Sequence, residues 1–435
     1  MSMVHLMPTM EYRPRIIDEE MDLNMRTFGA VQIKGPKGCG KTTTAKQIAS
    51  SVIEFQDEDV REGYLTVARD KPSLLLKGKK PILFDEWQDA PKIWGAVRKD
   101  VDDTGLCGQY ILTGSSSKNL STPHTGTLRI ATVNMYPMSL FESGDSNGRI
   151  SLKDLFDGKT DDSTWRANLD LEGLIFAICR GGWPRAINLK DRDAQLNVAR
   201  QLLKQTCETD ISNIDDVKRD PQLAKSIIRS YSRNICQLTE KKTIFADVTA
   251  EDPITYPTFD DYVGALERLY IIDNVDSWNP AIRSKTAIRS SKKKNLVDPS
   301  IAVASLGLSP EYFYKDFSTL GFLFESLVMR DLRIYSSASG GHVSYYHDRY
   351  DLEADGVLHL SDGRYALIEV KLGQSEIEEG AKHLNTIESL IKEKNESDKE
   401  IKLRLPDLKM VITGMDYGYI RDDGIMVVPI GCLKN

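Results

Sequence analysis

The chain of 435 residues contains few residues of the types that build disulfide or metal frameworks, with six cysteines and six histidines. The cysteines are scattered without a Cys-x-x-Cys pair, which argues against a disulfide scaffold and favours a reducing compartment. No apolar run approaches the roughly 18 residues of a membrane span. The first 15 residues also lack the apolar core of a secretory signal. We therefore expect a soluble cytoplasmic protein with no membrane partner.

The sequence also lacks a basic excess, because 57 Lys and Arg residues stand against 64 Asp and Glu, for a formal net charge of −7. This balance excludes a uniformly basic nucleic-acid coat but allows a local basic patch. Hydrophobic residues make up 40% of the chain and charged residues 28%, which is typical of folded proteins rather than disordered ones. At roughly 100–200 residues per domain, the length predicts two to four domains.

Short apolar runs alternate with helical patterns at both ends of the chain, whereas the middle is mainly helical. Strand–helix alternation is typical of a parallel sheet covered by helices. We therefore predict an α/β protein in four parts: a P-loop parallel-sheet domain (1–143), a polar linker and helical region (144–245), a winged-helix-like region (246–310) and a second α/β domain (311–435).

The expected strands of the two α/β domains are short apolar runs at 30–34, 73–76, 82–84, 110–112, 343–346, 354–359, 366–371, 410–412 and 425–428. Longer periodic stretches are expected to be helices at 41–55, 320–334 and 377–394.

A glycine-rich segment, GPKGCGKT, fits the pattern G-x-x-x-x-G-K-[ST] between a predicted strand and a predicted helix. Its glycines allow a tight turn whose N–H groups face phosphate oxygens, and the helix N-terminus adds a positive dipole. Lys41 is expected to reach the β- and γ-phosphates of ATP, and Thr42 to offer its hydroxyl to Mg²⁺. The predicted nucleotide-binding residues of this loop are Gly35, Pro36, Lys37, Gly38, Cys39, Gly40, Lys41, Thr42 and Thr43.

An acidic pair follows the apolar run PILF, at the sheet edge where the phosphates are expected. Asp85 is predicted to hold Mg²⁺, and Glu86 to orient or deprotonate the attacking water. The run YILTGSS also ends in small polar residues, of which Thr113 or Ser115 is expected to hydrogen-bond the γ-phosphate or the water. An ordinary strand end is the alternative for this run.

Hydrolysis also needs positive charge on the transition state beyond Lys41 and Mg²⁺. Arg129, downstream of the YILTGSS run, is the predicted source, acting in its own subunit or in a neighbouring one. Arg180 and Arg185, which flank GGWP, are weaker candidates.

The segments GPKGCGKTT, FDEWQ, LTGSS, TGTLR, YPMSLFES and RGGWP occur in this order, followed by TYPTFDDYVGALERLYIIDNVDSWNP, GFLFESLVMRDLRIY, EADG and IEVKLG. Together they resemble the prokaryotic AAA+ ATPases that carry a C-terminal DUF4143 domain. The resemblance implies ATP binding, hydrolysis, a winged-helix segment and a C-terminal fold related to PD-(D/E)XK nucleases. Because ATPases of this kind often complete their sites between subunits, a homo-oligomer is also expected.

Carboxylates and a lysine in the last domain form a second pattern. Glu369 and Lys371 are two apart on a predicted strand and should share a face, across a hairpin from Asp355. With Glu325 on the preceding helix, they resemble the PD-(D/E)XK pattern, in which carboxylates hold Mg²⁺ and the lysine stabilises charge at a phosphodiester. The alternatives are a solvated charge cluster or a nuclease fold that has lost its chemistry.

A basic segment, residues 283–294, contains six cations and no acid: Arg283, Lys285, Arg289, Lys292, Lys293 and Lys294. Such residues bind DNA phosphates without sequence preference, and a solvated loop is the alternative. We therefore predict a Mg²⁺-dependent ATPase that couples its nucleotide state to DNA engagement. An ATP-gated metal-dependent nuclease and a non-catalytic, ATP-switched DNA-binding protein are the alternatives.

Overall fold

A computed structural model describes residues 12–114, 126–159, 163–215, 217–280, 291–397 and 402–435. The chain forms two compact units. The first contains the residues up to Met135 together with Trp183–Gln195, and the second contains Tyr136–Gly182 together with Leu196–Asn435. Within the described ranges, no helix has both the length and the apolar character that crossing a membrane requires.

In chain order, the helices and strands of the first half are α1 (Ile17–Thr27), β1 (Ala30–Lys34), α2 (Lys41–Ile48), β2 (Ser51–Glu54), α3 (Arg61–Asp70), β3 (Ile82–Asp85), α4 (Lys92–Thr104), β4 (Tyr110–Gly114), β5 (Ile130–Asn134), α5 (Leu140–Ser143), β6 (Ile150–Ser151), α6 (Leu152–Phe156), β7 (Thr164–Arg166), α7 (Leu171–Arg180), α8 (Pro184–Ile187) and α9 (Arg192–Gln205).

Those of the second half are α10 (Ile211–Asn213), α11 (Pro221–Arg233), α12 (Lys241–Glu251), α13 (Tyr256–Arg268), β8 (Asp276–Ser277), α14 (Pro299–Leu306), α15 (Phe317–Ser337), β9 (His342–His347), β10 (Glu353–His359), β11 (Tyr365–Lys371), α16 (Ile377–Ser397), β12 (Leu408–Thr413), β13 (Tyr417–Ile420), β14 (Met426–Pro429) and β15 (Leu433–Lys434).

The first unit is built on a five-stranded sheet in the order β2-β3-β4-β1-β5, and every neighbouring pair is parallel. Alternate residues of β1, β3, β4 and β5 enter different apolar clusters, as a sheet buried on both faces requires. On β1, for example, Ala30 packs with residues of α3 and α4, whereas Val31 and Ile33 pack with residues of α1 and α2. The predicted α/β class with a parallel-sheet first domain is confirmed.

Two predicted elements of this unit were wrong. The run 73–76 lies in a 3₁₀ helix, Pro72–Lys77, where a proline at the first position fixes φ at a helical value. The helix from Lys41 ends at Ile48, and Ser51–Glu54 forms β2 instead of continuing it. The β-branched pair Val52–Ile53 favours a strand, and the pairing of β2 with β3 supplies its hydrogen bonds.

The second unit combines the mainly helical middle of the chain with an eight-stranded mixed sheet in the order β7-β13-β14-β12-β11-β10-β9-β8. Helix α16 packs on one face, with a cluster that includes Leu367, Leu384 and Val411. Helix α15 contacts β9, β10 and β11. The predicted helical middle and C-terminal α/β region agree with this arrangement.

Two local features of the second unit determine where Asp355 and Lys293 lie. The register of β10 against β9 shifts between Ala354 and Val357, and such a bulge redirects the side chains within it. After α13, isolated antiparallel bridges join Ile272 to Leu296 and Val275 to Lys293. A helix followed by paired extended segments is compatible with the predicted winged helix, which stays a prediction.

Candidate functional site

The backbone of the glycine-rich loop between β1 and α2 requires glycine at specific positions. Gly35, Gly38 and Gly40 have φ values of 152°, 81° and 108°, which L-residues rarely adopt. A Cβ atom at Gly35 would also lie only 2.1 Å from the carbonyl oxygen of Met135. Gly40 immediately precedes α2, so the loop leads directly into a helix N-terminus, where backbone N–H groups favour an anion.

Lys41, the first residue of α2, is buried. Its Nζ donates hydrogen bonds to the carbonyl oxygens of Gly35, at 2.9 Å, and Pro36, at 2.8 Å. The loop backbone therefore holds the ammonium group within its own curve, beside the N–H groups that are suited to phosphate.

Asp85 ends β3 and is the point at which three elements meet. The Thr42 hydroxyl donates to Asp85 Oδ1 at 2.7 Å, and the Thr113 hydroxyl donates to the same oxygen. Asp85 is in register with Thr113 on β4, because the carboxyl ends of parallel strands share one edge of the sheet. The structure thus brings together the predicted residues Thr42, Asp85 and Thr113, next to Lys41. Ser115 lies outside the described residues.

The oxygens of Thr42 and Asp85 suit a magnesium ion. A hydroxyl and a carboxylate are hard donors, and Mg²⁺ in nucleotide sites keeps several waters and takes only one or two protein oxygens together with phosphates. The 2.7 Å contact between the two side chains shows that both reach one point. These two residues could therefore hold a divalent ion beside the glycine-rich loop.

Glu86 follows directly after β3 in a left-handed conformation, with φ of 53°. Its carboxylate accepts a hydrogen bond from the buried side-chain amide of Gln88. Left-handed backbone at a residue other than glycine, asparagine or aspartate is strained and concentrates at functional sites. Gln88 was missed by the sequence reasoning, although it stands within the FDEWQ segment.

Three further residues support the loop, and the sequence reasoning assigned them no role. The guanidinium group of Arg15 is buried and donates to the carbonyl oxygen of Cys39 at 2.9 Å. Trp183 and Pro184 also lie close to the loop. A Cβ atom placed on Gly38 would be 4.0 Å from Trp183 Cε3, and one placed on Gly40 would be 3.5 Å from Pro184 Cγ. The RGGWP segment was the available signal for the latter two.

Arg129 does not lie near the phosphate loop of its own chain. It immediately precedes β5, and its carbonyl oxygen accepts from Ala30 N at the start of β1. The loop follows the other end of β1, about 16 Å away at 3.3 Å per residue. Arg129 is 39% exposed and pairs with Asp102 at 2.7 Å, so the predicted role in its own subunit has no geometric support.

The two weaker arginine candidates have different surroundings. Arg180 is buried and pairs with Asp145 at 2.6 Å, both within the second unit. Arg185 is exposed and directly follows Pro184 in the first unit.

The three predicted carboxylate ligands of the last domain do not all meet at one point. Lys293, from the basic segment, lies between two of them, with Nζ 2.6 Å from Glu325 Oε1 and 3.4 Å from Asp355 Oδ1. The other oxygen of Asp355 accepts from Val370 N at 2.9 Å. These two carboxylates are therefore already bound by protein groups, where the sequence had predicted Mg²⁺.

Glu369 belongs to a neighbouring charge group. Its carboxylate lies 3.1 Å from Lys371 Nζ and 3.4 Å from Nδ1 of His383 on α16. Glu369 therefore points to the α16 face of the sheet, whereas Glu325 is carried by α15. Glu369 and Lys371 share a face, as the spacing of two predicted.

Burial and neighbouring charges shift the ionisation of these groups. Burial raises the pKa of Glu325, although the charge of Lys293 opposes the rise. Burial alone would lower the pKa of Lys293, but Glu325 and Asp355 outweigh it, so the net shift is upward. Burial, followed by the charge of Asp355, raises the pKa of Glu369 to about 7 against the opposing effects of His383 and Lys371.

The rest of the basic segment offers little exposed positive charge in the described residues. Lys294 is buried, and burial lowers its pKa. Lys292 is exposed and pairs with Asp276 at 3.0 Å. Arg283, Lys285 and Arg289 lie outside the described residues.

Comparison with known families assigns three parts of the chain. Residues 27–143 match the family model of an AAA domain. Residues 171–312 match a domain of unknown function, DUF8612, and residues 320–433 match another, DUF4143. The chain is therefore similar to an AAA domain in its first part and to DUF4143 in its last part, as the sequence resemblance predicted. The match to DUF8612 was not foreseen.

Comparison with individual proteins adds only distant likenesses. No curated protein matches significantly. The Walker-type ATPase PABY2304 of Pyrococcus abyssi is 12% identical, with a TM-score of 0.40 over 68% of this chain and 96% of that one. A STAND protein with a tetratricopeptide repeat sensor, PH0952 from Pyrococcus horikoshii, is 13% identical, with a TM-score of 0.23 over 76% of this chain and 51% of that one. This chain thus spans about half the length of the STAND protein. Likenesses at these TM-scores carry no functional argument.

Proposed function

We propose that the first unit binds ATP with Mg²⁺ and hydrolyses it. The observation that carries this proposal is the shared contact at Asp85, whose carboxylate accepts from both Thr42 and Thr113 beside the glycine-rich loop. A chance glycine-rich turn would not need a buried lysine or an acidic residue from the neighbouring strand at its mouth.

Each residue has a role that its position supports. The N–H groups of the loop and of the first turn of α2 bind phosphate oxygens, and Lys41 adds charge at the β- and γ-phosphates. Thr42 and Asp85 hold Mg²⁺, which neutralises charge on the phosphates when it is bound. Glu86 accepts a proton from the attacking water or orients it, and Gln88 fixes the carboxylate of Glu86 by a hydrogen bond.

The additional positive charge is proposed to come from one of two arginines. Arg185 lies next to Pro184 beside the loop and could act within one chain. Arg129 could act only on a neighbouring chain, because it lies at the opposite edge of the sheet from its own phosphate loop. If Arg129 of one copy completes the ATP site of another, the protein must form a homo-oligomer, and the proposal includes this assembly.

We further propose that the nucleotide state controls engagement of a macromolecule by the second unit. DNA remains the sequence-based prediction for that partner, and it rests on the basic segment. The contacts of Lys293 and Lys294 remove two of its six cations from the available surface, which weakens the support for DNA.

The proposed ATPase activity can be tested by measuring nucleotide binding and turnover in the Lys41→Ala variant. We expect wild-type protein to release phosphate from ATP in the presence of Mg²⁺ and Lys41→Ala to lose nucleotide binding or turnover. Lys99→Ala is a matched control, because Lys99 is an exposed lysine that pairs with Asp103 on α4. Equal binding and turnover in wild type and Lys41→Ala would contradict the proposal.

A further inference from the structure

The carboxylates Glu325 and Asp355 already have a cation, supplied by the chain itself. The resemblance to PD-(D/E)XK nucleases implies Mg²⁺ at these residues, but the ammonium group of Lys293 lies within 3.4 Å of both. The side chain of Lys293 is only 6% exposed. A metal ion bound between these carboxylates would have to displace a buried positive charge, which is costly when the charge loses its partners.

Lys293 is fixed in this position by its backbone. Its N–H donates to the carbonyl oxygen of Val275 and its own carbonyl accepts from Val275 N, both at 2.9 Å. The ring of Tyr345 lies 5.5 Å from Nζ and gives the ammonium an aromatic neighbour. Lys293 therefore enters the carboxylate site from a paired backbone segment.

The third carboxylate of the predicted set, Glu369, contacts other charged groups. Glu369 faces α16 and is engaged by Lys371 and His383. Among all the residues that the structure describes, no three His, Cys, Asp or Glu side chains are grouped so that they could hold a metal ion. With Lys293 in place, the donor set therefore does not fit the metal that the resemblance implies.

The carboxylates Glu325 and Asp355 line a cleft that is open to solution. A cleft of about 670 Å³ is lined by Glu325, Asp355 and Lys371, with Phe317 and Phe322 among its other lining residues. Ions from solution can therefore reach the carboxylates, where they would compete with the ammonium group of Lys293.

We propose that Lys293 is the permanent cation of the Glu325–Asp355 site, so that the second unit binds no divalent metal there and does not cleave nucleic acid through that site. The DUF4143 domain then keeps the carboxylates as part of an internal ion-pair network. This inference does not depend on ATP hydrolysis by the first unit.

Binding of Mn²⁺, measured by electron paramagnetic resonance without nucleotide, tests the proposal. All proteins carry Asp85→Asn, which removes a predicted metal ligand from the first unit. With Lys293 present, we expect no stoichiometric Mn²⁺ at the carboxylates. Lys293→Ala should bind one Mn²⁺ per chain at least tenfold more tightly, and adding Glu325→Gln should abolish that gain. Lys293→Arg, which keeps the positive charge, should behave like the parent.

Two outcomes would overturn the proposal. One is stoichiometric Mn²⁺ in the Lys293-containing protein that Glu325→Gln or Asp355→Asn removes, a measurement that needs no substitution of Lys293. The other is a folded Lys293→Ala variant, checked by circular dichroism, that gains no Mn²⁺. Phosphate release by wild-type protein is measured in parallel, so that failure of the ATPase proposal can be recognised separately.

Discussion

Replacing Gly35 by alanine should disable the phosphate loop while leaving the rest of the first unit folded. The new Cβ would lie 2.1 Å from the Met135 carbonyl oxygen, well inside the roughly 3.5–4.0 Å of ordinary non-bonded contacts. The φ of 152° adds strain for any residue with a Cβ. Such strain and overpacking each cost about 1–3 kcal/mol, so we expect a loss of about 2–6 kcal/mol of unfolding free energy.

The effect on ATP should follow from the same clash. Relief requires the loop or the end of β5 to move, and either movement disturbs the carbonyls of Gly35 and Pro36 that hold Lys41. If restoring the binding geometry costs about 2–3 kcal/mol, ATP affinity falls about 30- to 150-fold at 1.4 kcal/mol per tenfold.

Urea unfolding and calorimetric titration with ATP measure the two losses. Gly63→Ala on α3 is the control, because nothing lies within 4 Å of its added Cβ and a helical glycine-to-alanine change should stabilise by about 0.4–1 kcal/mol. Unchanged stability and ATP affinity in Gly35→Ala would refute the account of the loop.

Three further predictions concern other parts of the chain. ATP turnover by Arg129→Ala, measured against protein concentration, should equal wild type where the chain is monomeric and fall below wild type where copies associate. A loss of turnover in the monomeric protein would contradict a role for Arg129 in a neighbouring chain. The pKa of Glu369 is raised above its ordinary 4.5 to about 7, so the folded state binds more protons than the unfolded state between these values and stability falls as pH rises through that window. Glu369→Gln should flatten this fall, on the order of 2–3 kcal/mol, in melting curves from pH 5 to 8. An unchanged slope would show that Glu369 is not its source. Neutralising the basic segment should weaken any DNA binding seen in gel shifts, and the binding should decrease steeply with salt; a full-length protein that binds no DNA, or binds it equally after the change, would remove DNA as a partner.

The phosphate site could be predicted because its signal is local. The glycine pattern fixes the loop, and the rule that parallel strands end at one edge brings Asp85 and Thr113 to it without knowledge of the full fold. The roles of Arg15 and Trp183 could not be seen in the same way. Each approaches the loop from a separate segment. Trp183 belongs to the RGGWP segment, which does not reveal what it contacts, and Arg15 belongs to no pattern.

The last domain shows where local patterns stop being informative. The spacing of Glu369 and Lys371 correctly gave a shared face, but not which helix covers it. Lys293 was read as part of a uniform run of cations, whereas its partners are 32 and 62 residues away. Only tertiary pairing decides which lysine of such a run turns inward.

The same limit applies to the two elements that were wrong in the first domain. Ser51–Glu54 becomes a strand because β3 offers hydrogen-bonding partners, which a helical sequence pattern does not reveal. The run at 73–76 is apolar, but the proline before it favours a helical turn.

Phosphate release from ATP by Asp85→Asn, measured beside wild type with and without Mg²⁺, is the most direct test of the proposed magnesium–ATP site. The substitution keeps the shape of the side chain but removes the charge that meets Thr42 and Thr113. We expect Mg²⁺-dependent turnover in wild type and a fall of about 100-fold or more in the variant, with a similar folded structure. Turnover in Asp85→Asn that equals wild type and keeps the same dependence on Mg²⁺ would contradict the proposed site.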